Sequence, residues 1–174
     1  GLVGSEMCIR DRADVLRWLT SAAARKLLLT RPAGGVRRVR REEPFALVVG
    51  DAPRVLLKGQ IDVLVDDGEA VVLDYKHSRS RSGRDHGFQL LAYALAAQQL
   101  LGKQRVRVGL CWLGDSDPTP ALSAPSEANL EDFRVELATL GGALADARAR
   151  DRFAGVERPK CEALKCGYVG RCWP

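Results

Sequence analysis

Three residues of this chain could do chemistry together: Asp62, Asp74 and Lys76. Both aspartates sit in runs that are otherwise apolar, Gln60-Ile61-Asp62-Val63-Leu64 and Val71-Val72-Leu73-Asp74-Tyr75-Lys76. A carboxylate inside an apolar strand costs solvation free energy unless it is paired or binds a cation. Asp74 and Lys76 are two residues apart, so on a strand both project from one face. Leu73 and Tyr75 then turn to the other face, into the core. Carboxylate and carbonyl oxygens suit a hard divalent cation, whose waters a phosphate oxygen can replace. Such an ion acidifies bound water and neutralises charge developing on a phosphodiester. Lys76 could orient that water and stabilise the charge. A lone D-x-K triplet is usually a surface ion pair; the second strand aspartate, twelve residues upstream, raises it above that.

The turn between the two strands gives a constraint. With Asp67-Gly68 alone as the turn, Asp62 would lie opposite Leu73 and the two carboxylates would point to opposite faces. With a three-residue loop, Asp66 pairs Ala70 and Asp62 comes opposite Asp74. Such loops, with Gly in the left-handed position, are common. Opposed side chains sit about 5 Å apart at Cβ, so two carboxylates there repel unless a cation lies between them. A shared metal therefore requires an odd loop.

The elements that must position these residues follow from periodicity and breakers. Residues 13–29 carry Leu16, Leu19, Ala23 and Leu27 at helical spacing, and Pro32 with Gly34-Gly35 ends the helix. Strands are expected at 36–49, 55–65 and 70–76, the last two joined by the hairpin signal Asp66-Asp67-Gly68-Glu69. A polar loop follows at 77–84, then an Ala/Leu-rich helix at 88–101, a fourth strand at 104–113 and a helix from Glu127 to Arg152. This order predicts an α/β fold, a central mixed sheet of about four strands flanked by helices. Hydrophobic residues make up 46% of the 174 and charged residues 28%, which allows a packed core and excludes wholesale disorder. No run approaches the ~18 apolar residues of a membrane span. Residues 1–12 fit neither an amphipathic pattern nor a signal-peptide layout and resemble a translated sequencing-adapter scar. The expected domain is therefore 13–158, truncated at its N-terminus and followed by a cysteine-bearing tail at 159–174.

Gly59-Gln60-Ile61-Asp62, then Val72-Leu73-Asp74-Tyr75-Lys76, then Gln89-Leu90-Leu91-Ala92-Tyr93 resemble the successive motifs of PD-(D/E)XK nucleases. The nearest kind is the RecB/AddA-type nuclease domain of bacterial helicase–nucleases. Arg41-Glu42-Glu43-Pro44-Phe45 resembles the Glu-x-Pro-Phe strand that precedes those motifs. The resemblance implies a restriction-endonuclease-like core in which Asp62, Asp74 and the Tyr75 carbonyl hold Mg²⁺ or Mn²⁺. It makes Lys76 the catalytic lysine and sets Glu42 at the edge of the site, with Glu43 as its rival. Gln89 and Tyr93, four apart, share a helix face, and the resemblance places both beside the active site.

Two departures from that pattern stand out. Family members usually carry an N-terminal helix bearing a metal-site histidine, yet no His precedes His77, so that His-bearing helix is expected to be absent or lost in truncation. Some members also hold a [4Fe–4S] cluster on one cysteine before the core and three at its end. Cys161, Cys166 and Cys172 resemble that ending, but the first interval is four residues where two are usual, and an upstream fourth ligand is missing, with Cys8 in the presumed scar and Cys111 in a strand. Reduced thiols are the alternative for these three.

Of 27 basic residues, 21 are Arg, against 22 acidic ones, for a net charge of +5. Arg37, Arg38, Arg40 and Arg41 precede one site strand. Arg79, Arg81 and Arg84, with His86, follow the D-x-K strand and would contact DNA phosphates. Trp112 could stack a base, although core packing is the more ordinary role. Together these readings describe a Mg²⁺-dependent deoxyribonuclease domain in the bacterial cytoplasm, acting in double-strand-break repair with a helicase domain or subunit and no membrane. The competing class is a catalytically inactive nuclease-like module that binds DNA or scaffolds a complex.

Overall fold

The computed structural model describes residues 3–30, 37–51, 54–77, 86–152, 155, 157–167 and 169–172, with the backbone alone for 3–11 and 171. Helix α1 spans Val3–Thr20; a short helix α2, Ala22–Ala24, runs on as a π-helical turn, Arg25–Leu29. Strands β1 (Arg38–Val49), β2 (Val55–Asp66) and β3 (Ala70–Lys76) follow, then α3 (Gly87–Leu101), β4 (Val106–Trp112) and α4 (Glu127–Ala149). Two short helices, α5 (Arg158–Ala163) and α6 (Val169–Cys172), complete the chain.

The four strands form one sheet in the order β1-β2-β3-β4. The first three make an antiparallel meander, and β4 returns parallel to β3 after the α3 crossover. This is the mixed four-stranded α/β sheet expected from the sequence. Ala70 to Leu73 are all buried, as suits a central strand covered on both faces. Pro44 lies on β1, an edge strand, where a missing N–H costs no ladder bond. Helix α3 buries six consecutive residues, Ala92–Ala97, because the sheet and α4 enclose it and a helix so enclosed can be apolar all round. It stops at Gly102, whose φ of 63° supplies the left-handed cap. Helix α4 starts from a reciprocal capping box between Ser126 and Asn129 and packs Leu130, Phe133 and Leu137 inward.

Two cores result, one on each face of the sheet. Phe45, Leu47, Ile61, Leu64 and Val72 pack with α3 and α4. Val63, Val65, Val71 and Leu73 pack with Trp18, Ala24 and Cys111 on the opposite side. Val39 and Arg41 of β1 also face Trp18, whereas Phe45, Leu47 and Val49 face α3. Odd-numbered residues of β1 and β2 therefore change faces partway along. The change falls where the ladder omits the rung between Arg41–Val63 and Glu43–Ile61, that is, at Glu42 and Asp62.

The N-terminal region departs from expectation. The first helix begins at Val3, not at residue 13, and breaks at Ser21, which caps α2 through its hydroxyl. A helix precedes β1, as the spacing over 13–29 predicts, and it carries no histidine. What it sends toward the sheet is Trp18, 1% exposed, whose indole N–H donates to the Tyr75 hydroxyl at 3.1 Å. No helix among the described residues is long and apolar enough to cross a membrane.

Candidate active site

The site is built where β2 and β3 part. Asp66 pairs Ala70, so the hairpin loop has three residues, and Gly68 takes the positive φ, 103°. The loop length is therefore odd, and Asp62 falls on the rung of Asp74. Pairing stops one rung earlier, at Val63–Leu73. In place of a main-chain partner, the Tyr75 N–H donates to the Asp62 carboxylate at 2.8 Å. The side chain thus takes over a ladder hydrogen bond, and the strands separate with both carboxylates at the gap.

Among the described residues Asp74 is the only charged one that is buried, at 2% exposed. Its Oδ1 accepts from Gln89 Nε2 at 2.9 Å and, more weakly, from the Tyr93 hydroxyl at 3.4 Å. Its Oδ2 faces the Lys76 ammonium 2.5 Å away and, among the described residues, has no other polar partner. Gln89 links the group: its Oε1 accepts from Lys76 at 3.1 Å and its Nε2 also donates to Tyr93 at 2.8 Å. Asp74, Lys76, Gln89 and Tyr93 are therefore in direct contact. Burial pushes the Asp74 carboxyl above its ordinary range, opposed by the hydrogen bond and charge of Lys76, while the nearby Asp62 charge pushes it further up. Burial likewise raises the phenols of Tyr75 and Tyr93.

Glu42 stands at the missing rung opposite Asp62, exposed and with φ at 50°. A glutamate has no intrinsic liking for that left-handed conformation. Gln60 Nε2 holds its carbonyl at 3.0 Å. Glu42 and Asp62 line one cavity of about 530 Å³ with Trp18, Val39, Arg41 and Tyr75. Glu43, the neighbouring alternative, is engaged by Arg40 at 2.9 Å. Neither Trp18 nor Gln60 was picked out for a role by sequence reasoning, because each acts through a partner 57 or 18 residues away.

The remaining candidates lie apart. His86 caps α3 and meets Trp112 edge to face, ring centroids 5.5 Å apart. Trp112 is half-buried and pairs in register with Lys76. Arg79, Arg81 and Arg84 lie outside the described residues. Among the upstream arginines, Arg37 is tied to Asp67 and to the Lys26 carbonyl and Arg40 to Glu43. These two brace the fold and do not present free charge.

The donor set suits a hard cation: two carboxylates within each other's field, one with a buried oxygen that meets only the Lys76 ammonium. No group of three or more His, Cys, Asp or Glu among the described residues is placed to hold a metal. A site of two carboxylates and a carbonyl is compatible with that. Among the described residues no three cysteines are gathered to hold a cluster. Cys161 is buried, Cys166 half-buried and Cys172 exposed, and they form no cluster among the described residues. Cys111 is a buried strand thiol whose pKa is pushed up to about 12 by burial.

The family model of the PD-(D/E)XK nuclease superfamily matches residues 5–173. A crystal structure of a protein designated SSO0001 aligns at 19% identity with a TM-score of 0.37, covering 59% of this chain and 50% of that one. This chain thus spans half the length of that solved chain. No curated protein matches.

Proposed function

Since the chain belongs to the PD-(D/E)XK nuclease superfamily, we propose that it is a metal-dependent deoxyribonuclease. It hydrolyses phosphodiester bonds in DNA during double-strand-break repair or recombination. The observation that carries this reading is the contact of Lys76, Gln89 and Tyr93 with the buried Asp74, which shares its rung with Asp62. Asp62, Asp74 and the Tyr75 carbonyl would hold a Mg²⁺ or Mn²⁺ ion. When bound, that ion supplies Lewis acidity toward a phosphodiester and its attacking water.

The chain's own residues do the rest. Lys76 keeps its ammonium at the mouth of the site, 22% exposed, where it can hold a water or a phosphate oxygen. Gln89 fixes Lys76 and Asp74 at once through its two amide ends. Glu42 borders the same cavity as Asp62. His86, with Arg79, Arg81 and Arg84 from the segment outside the described residues, takes DNA phosphates without reading bases. The RecB/AddA resemblance supports a helicase domain or subunit as partner and a cytoplasmic setting. Cleavage of DNA with Mg²⁺ or with EDTA, by wild type and by Asp74→Ala, tests the assignment. Metal-dependent cleavage lost in Asp74→Ala is expected. Cleavage that persists in Asp74→Ala overturns the site, and DNA binding without cleavage by wild type makes the chain a non-catalytic module.

A further inference from the structure

Tyr93 touches Asp74 through its hydroxyl alone, and a phenol at the end of a helical side chain needs something to fix its ring. Gln89 restrains the oxygen at 2.8 Å. The ring itself rests on Phe45, edge to face, with centroids 6.0 Å apart and planes at 90°, a preferred geometry for two aromatic quadrupoles. Phe45 reaches this place because its partner across the β1–β2 ladder is Gly59. A Cβ on Gly59 would stand 2.6 Å and 2.7 Å from two carbons of the Phe45 ring, closer than real contacts come. The glycine is thus the seat of the phenylalanine. The change of face at Glu42, three residues before Phe45, is what turns that ring to the α3 side.

We propose that Phe45, seated over Gly59, is a positioning residue for DNA cleavage, acting through Tyr93 to hold the Asp74 carboxylate in place to bind metal. The inference rests on the nuclease reading and extends it to a layer behind the acidic pair. A ring that merely fills the core would affect stability and leave the site's metal affinity alone.

A double-mutant cycle distinguishes the two roles. Phe45→Leu and Tyr93→Phe are made singly and together, and each is checked by circular dichroism to be folded at the assay temperature. Mn²⁺ affinity is measured by calorimetry without DNA, and kcat separately from KM with DNA. Each single variant is expected to lose about 10- to 100-fold in Mn²⁺ affinity and in kcat, with KM for DNA little changed. The double variant should fall no further than Tyr93→Phe alone, because both act on one contact. Losses that multiply, or a Phe45→Leu protein with wild-type Mn²⁺ affinity, overturn the proposal. Should Phe45→Leu not fold, Phe45→Met, which removes the ring without emptying the core, and Gly59→Ala, which displaces the ring, enter the same cycle. Phe45→Tyr, which keeps the ring, is expected to restore both readouts. Wild type that binds Mn²⁺ but cleaves no DNA defeats the nuclease reading, while the calorimetric cycle still decides the role of Phe45.

Discussion

Replacing Asp74 by asparagine should stabilise the metal-free protein while abolishing its chemistry. Burial is the largest influence on the Asp74 carboxyl and outweighs Lys76, so its pKa lies above the ordinary 3.8. Net, the folded protein disfavours this charge. Asparagine forfeits the ion pair with Lys76, whose side chain is 22% exposed and can turn to water, a loss of about 1 kcal/mol. It also turns the Gln89 bond from charge-assisted to neutral, costing about another 1 kcal/mol. Against these stands a carboxylate burial penalty of several kcal/mol. The balance is a gain of order 1 kcal/mol, or about 2–4 °C in Tm for a chain of this size. The pH dependence has a definite sign. A carboxyl with a raised folded-state pKa adds stability while protonated, and loses it as pH rises from 3.8 through the folded value. The advantage of Asp74→Asn should therefore be full above the folded-state pKa and shrink on acidification. Thermal scans in EDTA at both ends of that range check it. Saturating Mg²⁺ should reverse the order, since a ligand at 100 times its Kd stabilises the wild type by about 2.7 kcal/mol. Nuclease turnover should fall by about 10³-fold or more. A less stable Asp74→Asn in EDTA above the folded-state pKa would refute the reasoning, because Lys76 would then outweigh burial.

Three further outcomes follow from the packing. Trp18→Phe removes the donor to the Tyr75 hydroxyl and should cost about 1–3 kcal/mol in urea unfolding; an unchanged midpoint would mean that α1 does not brace β3. Native protein treated with iodoacetamide at pH 8 should keep Cys111 unmodified by mass spectrometry until denaturant is added, since burial holds its pKa at about 12. Gly141→Ala should lower Tm, because a Cβ there would collide with the Val55 side chain and α4 would have to lift from β2; about 1–3 kcal/mol is expected.

The geometry of the acidic strands was legible because strand parity and turn chemistry are local. Asp66-Asp67-Gly68-Glu69 allows only a few loops, and one of them brings Asp62 to the rung of Asp74. The four-residue spacing of Gln89 and Tyr93 likewise sufficed to put both on one helix face. Other features depend on distant partners and left no local mark. The left-handed Glu42 is held by Gln60 from across the ladder, and nothing in Arg41-Glu42-Glu43 announces it. The seat of Phe45 requires knowing that Gly59 lies opposite. The sequence places the start of helix α1 ten residues too late because residues 3–12 lack an apolar stripe, while its fully buried anchor is Trp18, with Val15 packed beside it. Basic runs were the least informative, since nothing in the sequence around Arg37 and Arg40 announces that Asp67 and Glu43 engage them.

The turn at Asp67-Gly68-Glu69 has a consequence for how this chain can diverge. Insertions and deletions in exposed turns are ordinarily the changes a fold tolerates best. Here, losing or gaining one residue would let the meander refold with its apolar faces reset at the hairpin, yet would carry Asp62 away from Asp74. Residue identities in that turn can drift so long as one position accepts a positive φ and the acid that meets Arg37 is kept or its loss is compensated. Its length cannot. Lineages that retain the chemistry should vary the letters of this turn and keep its count, and descendants with a changed count are the place to look for folded, silent copies.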